Sequence, residues 1–337
     1  MTRIFVALLG STALLGAAQA QDTTAVTFGT NWLPQAEHGG YYQAVVDGTY
    51  EACGLDVTIA PGGPQVNNRA LLLAGRIQFH MGGNLLQVFN AAAEEIPVVV
   101  VASHMQKEPQ VIMTHPDQGL DTFESLKEAD TLFIGDNGFQ SYYQWMIDEY
   151  GFSADNRAPY TFNPAPFLAN KKSGQQGYVT SEPFAIETEG GFSPNIFLLA
   201  DYGFDSYATT VEVMRPYMEE NPEAVKCFVE GSSIGWANYL YGDPSAANAM
   251  IQEQNPNMSD AQLAFSIEKM KEYGIVDSGD SLTMGIGAMT DERFTSFYEK
   301  MLAAGVAPEG IDLASTYSLD FANTGAALET KKELGVE

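Results

Sequence analysis

Strand patterns and helix patterns alternate along most of this chain, and this alternation restricts the possible folds more than any other feature. In the first third of the chain, strands are predicted over 24–30, 55–60, 77–81 and 97–102, with helices over 41–50, 66–74 and 85–94. Such alternation is typical of α/β proteins, in which right-handed crossover helices join parallel strands. The segment 97–102 is nearly all valine, which predicts a central parallel strand that is covered on both faces.

A second series of the same kind follows a polar stretch around 104–109. Strands are predicted over 131–135, 160–162, 176–180 and 195–200, and the remainder from 221 onward is mostly helical. A chain of 337 residues is long enough for two lobes. We therefore predict an α/β protein with two hinge crossovers, in which lobe 1 is discontinuous (21–108 and 209–337) and lobe 2 comprises 109–208. Each lobe is expected to be a mostly parallel sheet flanked by helices.

The first twenty residues have the pattern of a secretory signal peptide. A short basic start is followed by an apolar run over 4–15, and Ala18-Gln19-Ala20 fits a cleavage site near Ala20. Removing 1–20 takes away Arg3 and no acidic residue, so the formal net charge changes from −27 to −28. A surface this acidic repels phosphate backbones, and nucleic acid is not expected as a partner.

The chain contains two cysteines, Cys53 and Cys227. Two cysteines cannot form a structural zinc site. In an oxidising compartment they could pair, and two unpaired buried thiols are the alternative. Both residues lie in the parts assigned to lobe 1, so we predict a single disulfide if the fold brings them close.

The stretch from Asn31 to Ala44 organises the predicted functional site. Trp32 follows the first strand, at the edge of the sheet where open α/β proteins bind ligands, and offers a flat face for stacking. Gly39-Gly40 leaves backbone N–H groups uncrowded at the start of the next helix. The alternative is structural: Trp32 covers the core, and the glycines only shape a turn.

Other loops after predicted strands carry similar residues, and two facing sheets would bring them to one cleft that closes on its ligand. The predicted ligand-binding residues are Asn31, Trp32, His38, Gly39, Gly40, Gly62, Gly63, Gly83, Asn84, Asn137, Tyr178 and Glu182. Glu182 follows a strand that carries Tyr178, and a carboxylate there could accept N–H bonds from an amino-heterocycle. Alternatively, Glu182 is an ordinary acidic residue at a helix N-terminus.

The sequence lacks the common catalytic and metal-binding motifs. It contains no phosphate-binding loop, no dinucleotide fingerprint, no H-E-x-x-H motif and no nucleophile elbow, and its four histidines are scattered. We therefore expect no catalytic residue, no metal and no cofactor. Basic residues are also scarce at strand ends, which weakens the case for a strongly anionic ligand.

With these motifs, the chain resembles the periplasmic substrate-binding proteins of ABC importers over most of its length, from Val26 to about Asn323. Within them it is similar to the group that binds thiamine pyrimidine precursors (NMT1/THI5-like) and its sulfonate-, nitrate- and taurine-binding relatives. The resemblance rests on the following segments: Asn31-Trp32-x-Pro34-x-x-x-His38-x-Gly40-x-Tyr42-x-Ala44, Gly54-Leu55-Asp56-Val57, Gly177-Tyr178 with Glu182, and 285–293.

The resemblance implies a type II periplasmic-binding-protein clamshell without catalysis, located in the periplasm and expected to be a monomer. Its expected partners are a small-molecule ligand and an ABC permease with its ATPase subunit, and it would reach the membrane through the permease only. In the pyrimidine binders an aromatic pair and an acid hold the ring, and these positions correspond to Trp32, Tyr178 and Glu182. Glu37 stands where those proteins usually carry Asn, and Gly39 replaces a Thr. Riboflavin or a small anion therefore remains an alternative ligand, and an enzyme of pyrimidine synthesis on this fold is a further one.

Overall fold

The computed structural model describes residues 23–63 and 66–336, so the predicted signal peptide lies outside the described residues. The strands are β1 (Thr24–Gly29), β2 (Leu55–Ala60), β3 (Phe79–Met81), β4 (Val98–Met105), β5 (Gln110–Thr114), β6 (Thr131–Ile134), β7 (Arg157–Pro159), β8 (Ser173–Tyr178), β9 (Asn195–Leu198) and β10 (Ala208–Met214).

Helices follow most of the strands and dominate the C-terminal third. They are α1 (Gly39–Val46), α2 (Thr49–Ala52), α3 (Asn68–Leu73), α4 (Leu85–Ala93), α5 (Asp136–Phe139), α6 (Tyr142–Tyr150), α7 (Ala165–Ala169), α8 (Glu182–Gly190), α9 (Arg215–Glu220), α10 (Pro222–Tyr241), α11 (Ser245–Gln254), α12 (Asp260–Glu272), α13 (Ser281–Met284), α14 (Asp291–Ala303) and α15 (Leu328–Glu333). Short 3-10 helices occupy Ala36–His38, Glu124–Glu128, Ala154–Asn156, Leu199–Tyr202 and Leu313–Thr316. None of the helices in the described part of the chain is both long enough and apolar enough to cross a membrane.

The strands form two five-stranded sheets with the same topology. The first sheet has the order β2-β1-β3-β10-β4, and the second has the order β7-β6-β8-β5-β9. In each sheet the first two pairings are parallel and the last two are antiparallel. The predicted α/β architecture of two sheets flanked by helices is confirmed, with both sheets mixed. The lobe boundaries at 109 and 208 stay a prediction.

The valine-rich strand β4 differs from the prediction made for 97–102. It lies at the edge of the first sheet and runs antiparallel to β10, so the prediction of a central parallel strand is wrong. All eight of its residues are nevertheless buried, because the C-terminal part of the chain covers its free edge. Ser103 and Val100 form bridges to Gly287 and Tyr317, and the Ser318 N–H donates to Val100 O at 2.9 Å. The valine run therefore indicates that the strand is buried, but it does not indicate the direction in which the strand pairs.

The sequence pattern does not predict strand β10, which begins at the predicted boundary between lobe 2 and the returning part of lobe 1. The chain returns to the first sheet at this point and inserts an antiparallel strand between β3 and β4. The strand that joins β3 to β4 in the first sheet therefore lies more than a hundred residues from both of them in sequence. Such a distant pairing leaves no local pattern in the sequence.

Cys53 and Cys227 form a disulfide with their Cα atoms 5.7 Å apart. It joins the end of α2 to α10, so the predicted pairing is present in the structure. The same long helix packs against α1, and this is where Gly39 and Gly40 are needed. A Cβ atom on Gly39 would lie 2.1 Å from the Tyr239 ring, and one on Gly40 would lie 2.2 Å from the Trp236 ring. These two glycines therefore allow close helix packing.

Candidate ligand-binding cleft

A cleft of about 650 Å³ lies between the loops of the two sheets. Its volume falls within the range usual for small-molecule sites. The first sheet contributes the loops after β1, β2 and β3, and the second contributes the loops after β6, β7 and β8. The cleft is also lined by two non-glycine residues with positive φ, Phe162 (59°) and Thr209 (46°). Backbone strain of this kind concentrates at functional sites.

An aromatic pair spans the cleft from one sheet to the other. Trp32 follows β1, Phe162 follows β7, and their ring centroids are 4.9 Å apart with 40° between the planes. The Trp32 loop is held from behind, because Thr30 Oγ1 donates to Trp32 O at 2.9 Å and the Gly62 N–H donates to the same oxygen at 3.0 Å. A Cβ on Gly62 would lie 2.4 Å from Thr30 O, so Gly62 supports the Trp32 loop by close backbone approach.

Glu182 is the first residue of α8 and lines the cleft. Its Oε2 accepts a hydrogen bond from the Tyr178 N–H at 2.7 Å, which orients the carboxyl group. Burial raises the pKa of Glu182 to about 7, and the negative charge of Glu37 adds to the increase, whereas the Tyr178 N–H opposes it. Glu182 is therefore both the first residue of a helix and a residue that lines the cleft.

Glu37 lies in the 3-10 helix before α1 and connects the two sides of the cleft. Its Oε1 accepts a hydrogen bond from Thr180 Oγ1, in the loop after β8. Thr180 O in turn accepts a hydrogen bond from Ser266 Oγ of α12 at 2.7 Å. Burial raises the pKa of Glu37, and the Thr180 hydroxyl opposes that increase.

Two titratable buried groups in the cleft, His38 Nδ1 and Glu108 Oε2, lack a hydrogen-bond partner among the described residues, and so does the hydroxyl of Thr209. Burial lowers the pKa of His38 to about 3, so its imidazole is neutral. Burial raises the pKa of Glu108 to about 8, against the opposing effects of the Gln110 N–H and the Tyr178 hydroxyl. Buried polar groups in proteins are usually paired, so these two groups require an explanation.

Arg69 is the one basic residue with a permanent charge among the described residues that line the cleft. Its guanidinium donates to both carboxylate oxygens of Glu212, at 2.7 and 2.5 Å, and to Gln87 O at 3.0 Å. His80 Nδ1 lies 3.0 Å from the same carboxylate. Burial raises the pKa of Glu212, but His80 and Arg69 outweigh it, so the net shift is downward. The charge of Arg69 is therefore balanced within the protein.

The structure brings most of the predicted ligand-binding residues together. Nine line the cleft: Asn31, Trp32, His38, Gly63, Gly83, Asn84, Asn137, Tyr178 and Glu182. Gly39, Gly40 and Gly62 are not among its lining residues, and they serve the packing contacts described above. That these residues contact a ligand stays a prediction.

Sequence analysis did not identify several residues that line the cleft, among them Glu108, Tyr142, Phe162 and Gln176. Phe162 was assigned to a strand over 160–162, whereas β7 ends at Pro159 and Phe162 follows it. Glu108 lies in the polar stretch around 104–109, at the predicted end of the first part of lobe 1. Its unusual feature, a buried carboxyl group without a partner, has no signature in sequence. No group of three or more potential metal-ligating side chains occurs in the described part of the chain.

Two facing sheets of identical mixed topology, with a ligand-sized cleft between their loops, define the type II periplasmic-binding-protein fold. Within that class, residues 35–247 match the NMT1/THI5-like family, and the chain belongs to it. It is also similar to the riboflavin-binding protein RibY of Chloroflexus aurantiacus, with 23% identity over 311 residues that cover 89% of this chain and 87% of RibY.

Solved structures with this fold include proteins of different activity. The periplasmic nitrate-binding protein NrtA of Synechocystis PCC 6803 superimposes with a TM-score of 0.62 and 11% identity, covering 94% of this chain and 92% of NrtA. The desulfurization enzyme DSZB superimposes with a TM-score of 0.56 and 10% identity, covering 89% of this chain and 98% of the enzyme. The fold is thus shared by binding proteins and by an enzyme, and the side chains of the cleft must decide between them.

Proposed function

We propose that this protein is the periplasmic substrate-binding component of an ABC importer and that it delivers a small amino-heterocycle, a thiamine pyrimidine precursor, to its permease. The protein would be exported through its N-terminal signal peptide and act as a monomer. It would reach the membrane by docking on the permease, whose ATPase subunit powers transport. Its own role would be ligand capture without chemical change.

The observation that carries this proposal is the combination of an aromatic pair with an oriented carboxyl group in one cleft. The Trp32 and Phe162 rings, 4.9 Å apart at their centroids, would separate to take a flat ring between them. Glu182, oriented by the Tyr178 N–H, supplies an acceptor for the N–H groups of an aminopyrimidine. Its helix-start position favours the charged form, whereas burial disfavours it, so a ligand that donates N–H bonds would stabilise the carboxylate.

A small anion such as nitrate, taurine or another sulfonate is the alternative on the same scaffold. The acidic lining of the cleft opposes it, because Glu37, Glu108 and Glu182 line the cleft and Arg69 is already paired with Glu212. An anion would therefore meet three carboxyl groups without a free guanidinium to balance it. Riboflavin is the second alternative, supported by the similarity to RibY and compatible with the aromatic pair.

An enzyme is the third alternative, with Glu182 or His38 in acid–base roles. A general acid or base must titrate near neutral pH, and the pKa of His38 is lowered to about 3. Glu182, whose pKa is raised to about 7, could titrate in this range. However, the hydrogen bond of the Glu182 side chain is to the Tyr178 backbone N–H and not to a nucleophilic side chain, which favours binding.

A thermal-shift screen of the mature protein tests the proposal. The ligands are formylaminopyrimidine, hydroxymethylpyrimidine, riboflavin, taurine and nitrate. We expect the two pyrimidines to raise the melting temperature, and stabilisation by taurine or nitrate alone would contradict the proposal. Mass spectrometry of each stabilising ligand after incubation distinguishes binding from turnover, because a changed mass would favour the enzyme.

A further inference from the structure

The cleft contains a carboxyl group whose environment is incomplete. Glu108 lies in the segment between β4 and β5, its residue is only 3% exposed, and its Oε2 has no hydrogen-bond partner among the described residues. A buried acceptor without a donor destabilises the folded protein. Because Glu108 also lines the ligand-sized cleft, a bound molecule could supply the missing donor.

The position of Glu108 relative to Glu182 follows from the pairing of β5 with β8. Gln110 is paired with Tyr178, and the Val179 N–H donates to Pro109 O at 2.9 Å, which places Glu108 beside Thr180. Glu182 is held at the same strand end, because its Oε2 accepts a hydrogen bond from the Tyr178 N–H at 2.7 Å. Burial raises the pKa of the Tyr142 and Tyr178 hydroxyls and both carboxyl groups add to the increase, and both glutamates line the cleft, so one ligand could contact both.

A second unsatisfied group points to the same conclusion. His38 Nδ1 is buried without a partner in a residue that is 1% exposed, and His38 also lines the cleft. Two such groups, from different segments of the cleft lining, indicate a polar ligand with more than one hydrogen-bonding substituent. Glu37 is already bonded to Thr180, so it is not available in the same way.

We propose that the ligand carries a protonated amino group in addition to the ring bound near Glu182, and that Glu108 is the residue that recognises it. This inference rests on the proposed function, since it assumes that the cleft is the ligand site. A cationic N–H donor supplies the missing partner of Glu108 Oε2 and stabilises the carboxylate form, which a neutral hydroxyl does less well. Charge-assisted recognition would also discriminate between ligands of similar shape.

A matched pair of probes tests this inference by calorimetry. One is an aminopyrimidine with an aminomethyl substituent, and the other is the same aminopyrimidine with a hydroxymethyl substituent. We expect the wild-type protein to bind the aminomethyl compound at least about tenfold more tightly. Glu108→Gln should abolish this preference, whereas Glu108→Asp should keep part of it. The exposed Glu187 of α8 provides the control, and Glu187→Gln should leave the preference intact.

Equal wild-type affinities for the two probes, or a preference that survives in Glu108→Gln, would overturn the inference and leave the proposed function standing. If neither pyrimidine binds, the proposed ligand class fails, and the inference is then decided by thermal shift with putrescine and spermidine. If these amines stabilise the wild-type protein and do not stabilise Glu108→Gln, the result would support a cation site at Glu108. An absence of stabilisation, or equal stabilisation of the variant, would overturn it.

Discussion

The two walls of the cleft are built from sheets of the same topology, yet they differ in chemistry. The wall from the first sheet presents the Trp32 ring, the neutral His38 and the paired Arg69. The wall from the second sheet presents Glu182 beside Tyr178, and Glu108 lies where the chain passes between the sheets. A repeated fold thus presents a stacking ring with a neutral imidazole and an internally paired guanidinium on one side, and a hydrogen-bonded carboxyl group on the other.

The walls also differ in how they are held. The first is supported from behind by the disulfide, by the close packing of α1 on α10 and by the backbone contact at Gly62. The second contacts the first through the Glu37–Thr180 and Ser266–Thr180 hydrogen bonds and the Trp32–Phe162 pair. This difference suggests that changes in the first wall's support alter stability, whereas changes in the acidic groups alter ligand affinity.

The largest expected effect is on stability, from removing the disulfide. The double variant Cys53→Ala/Cys227→Ala should lower the free energy of unfolding by about 2–5 kcal/mol, because the unfolded chain gains conformational freedom. Ligand affinity should change by less than about threefold, since neither cysteine lines the cleft. Denaturant unfolding and calorimetry measure the two effects, and a large loss of affinity with unchanged stability would refute the division of roles.

On the acidic wall, Glu182→Gln should weaken binding of an aminopyrimidine by about ten- to a hundredfold. A hydrogen bond to a charged group contributes about 1.5–3 kcal/mol, and the Gln amide presents a donor where an acceptor is needed. The Gln carbonyl oxygen can still accept from the Tyr178 N–H, so the melting temperature without ligand should change little. The control Glu187→Gln, on an exposed turn of the same helix, should preserve affinity. Reduced stability with unaltered affinity would assign Glu182 to helix capping alone.

The smallest expected effect is a pH dependence of stability caused by Glu108. Its pKa is about 8 in the folded protein against 4.5 for an ordinary Glu, so the folded state retains a proton that the unfolded chain releases. The stability that this bound proton contributes is therefore fully present below about pH 4.5 and is lost as the pH rises through about 8.

The groups that act with Glu108 at this site are Glu37, Glu182, Tyr142 and Tyr178, so the wild-type profile alone is a sum of several titrations. The difference in the free energy of unfolding between Glu108→Gln and wild type isolates the titration of Glu108. We expect the variant to gain on the order of 1–2 kcal/mol relative to wild type between about pH 5 and about pH 8. A difference that does not change with pH would show that Glu108 has an ordinary pKa in the folded protein.

Sequence analysis anticipated the architecture better than the strand pairing. Alternating patterns predicted two strand–helix series because each strand and helix is encoded locally, in residues such as Val26 and Phe28 that alternate on one face of β1. The edge position of β4 and the insertion of β10 depend on pairings with distant segments, which local patterns do not record.

The candidate site was anticipated in the same way. Trp32, Asn84 and Glu182 follow strands, so their position in the cleft could be predicted from the rule that loops at strand ends line ligand sites. Glu108 and the contact between Glu37 and Thr180 depend on the approach of the two sheets to each other. Burial and missing partners arise only in three dimensions, so these features required the structure.

A crystal structure of the mature protein with hydroxymethylpyrimidine tests the central claim most directly. The proposed function predicts the pyrimidine ring between Trp32 and Phe162, with its ring nitrogen and amino group facing the carboxyl group of Glu182. A pyrimidine bound elsewhere on the protein, or bound in the cleft without contact to Glu182, would contradict it.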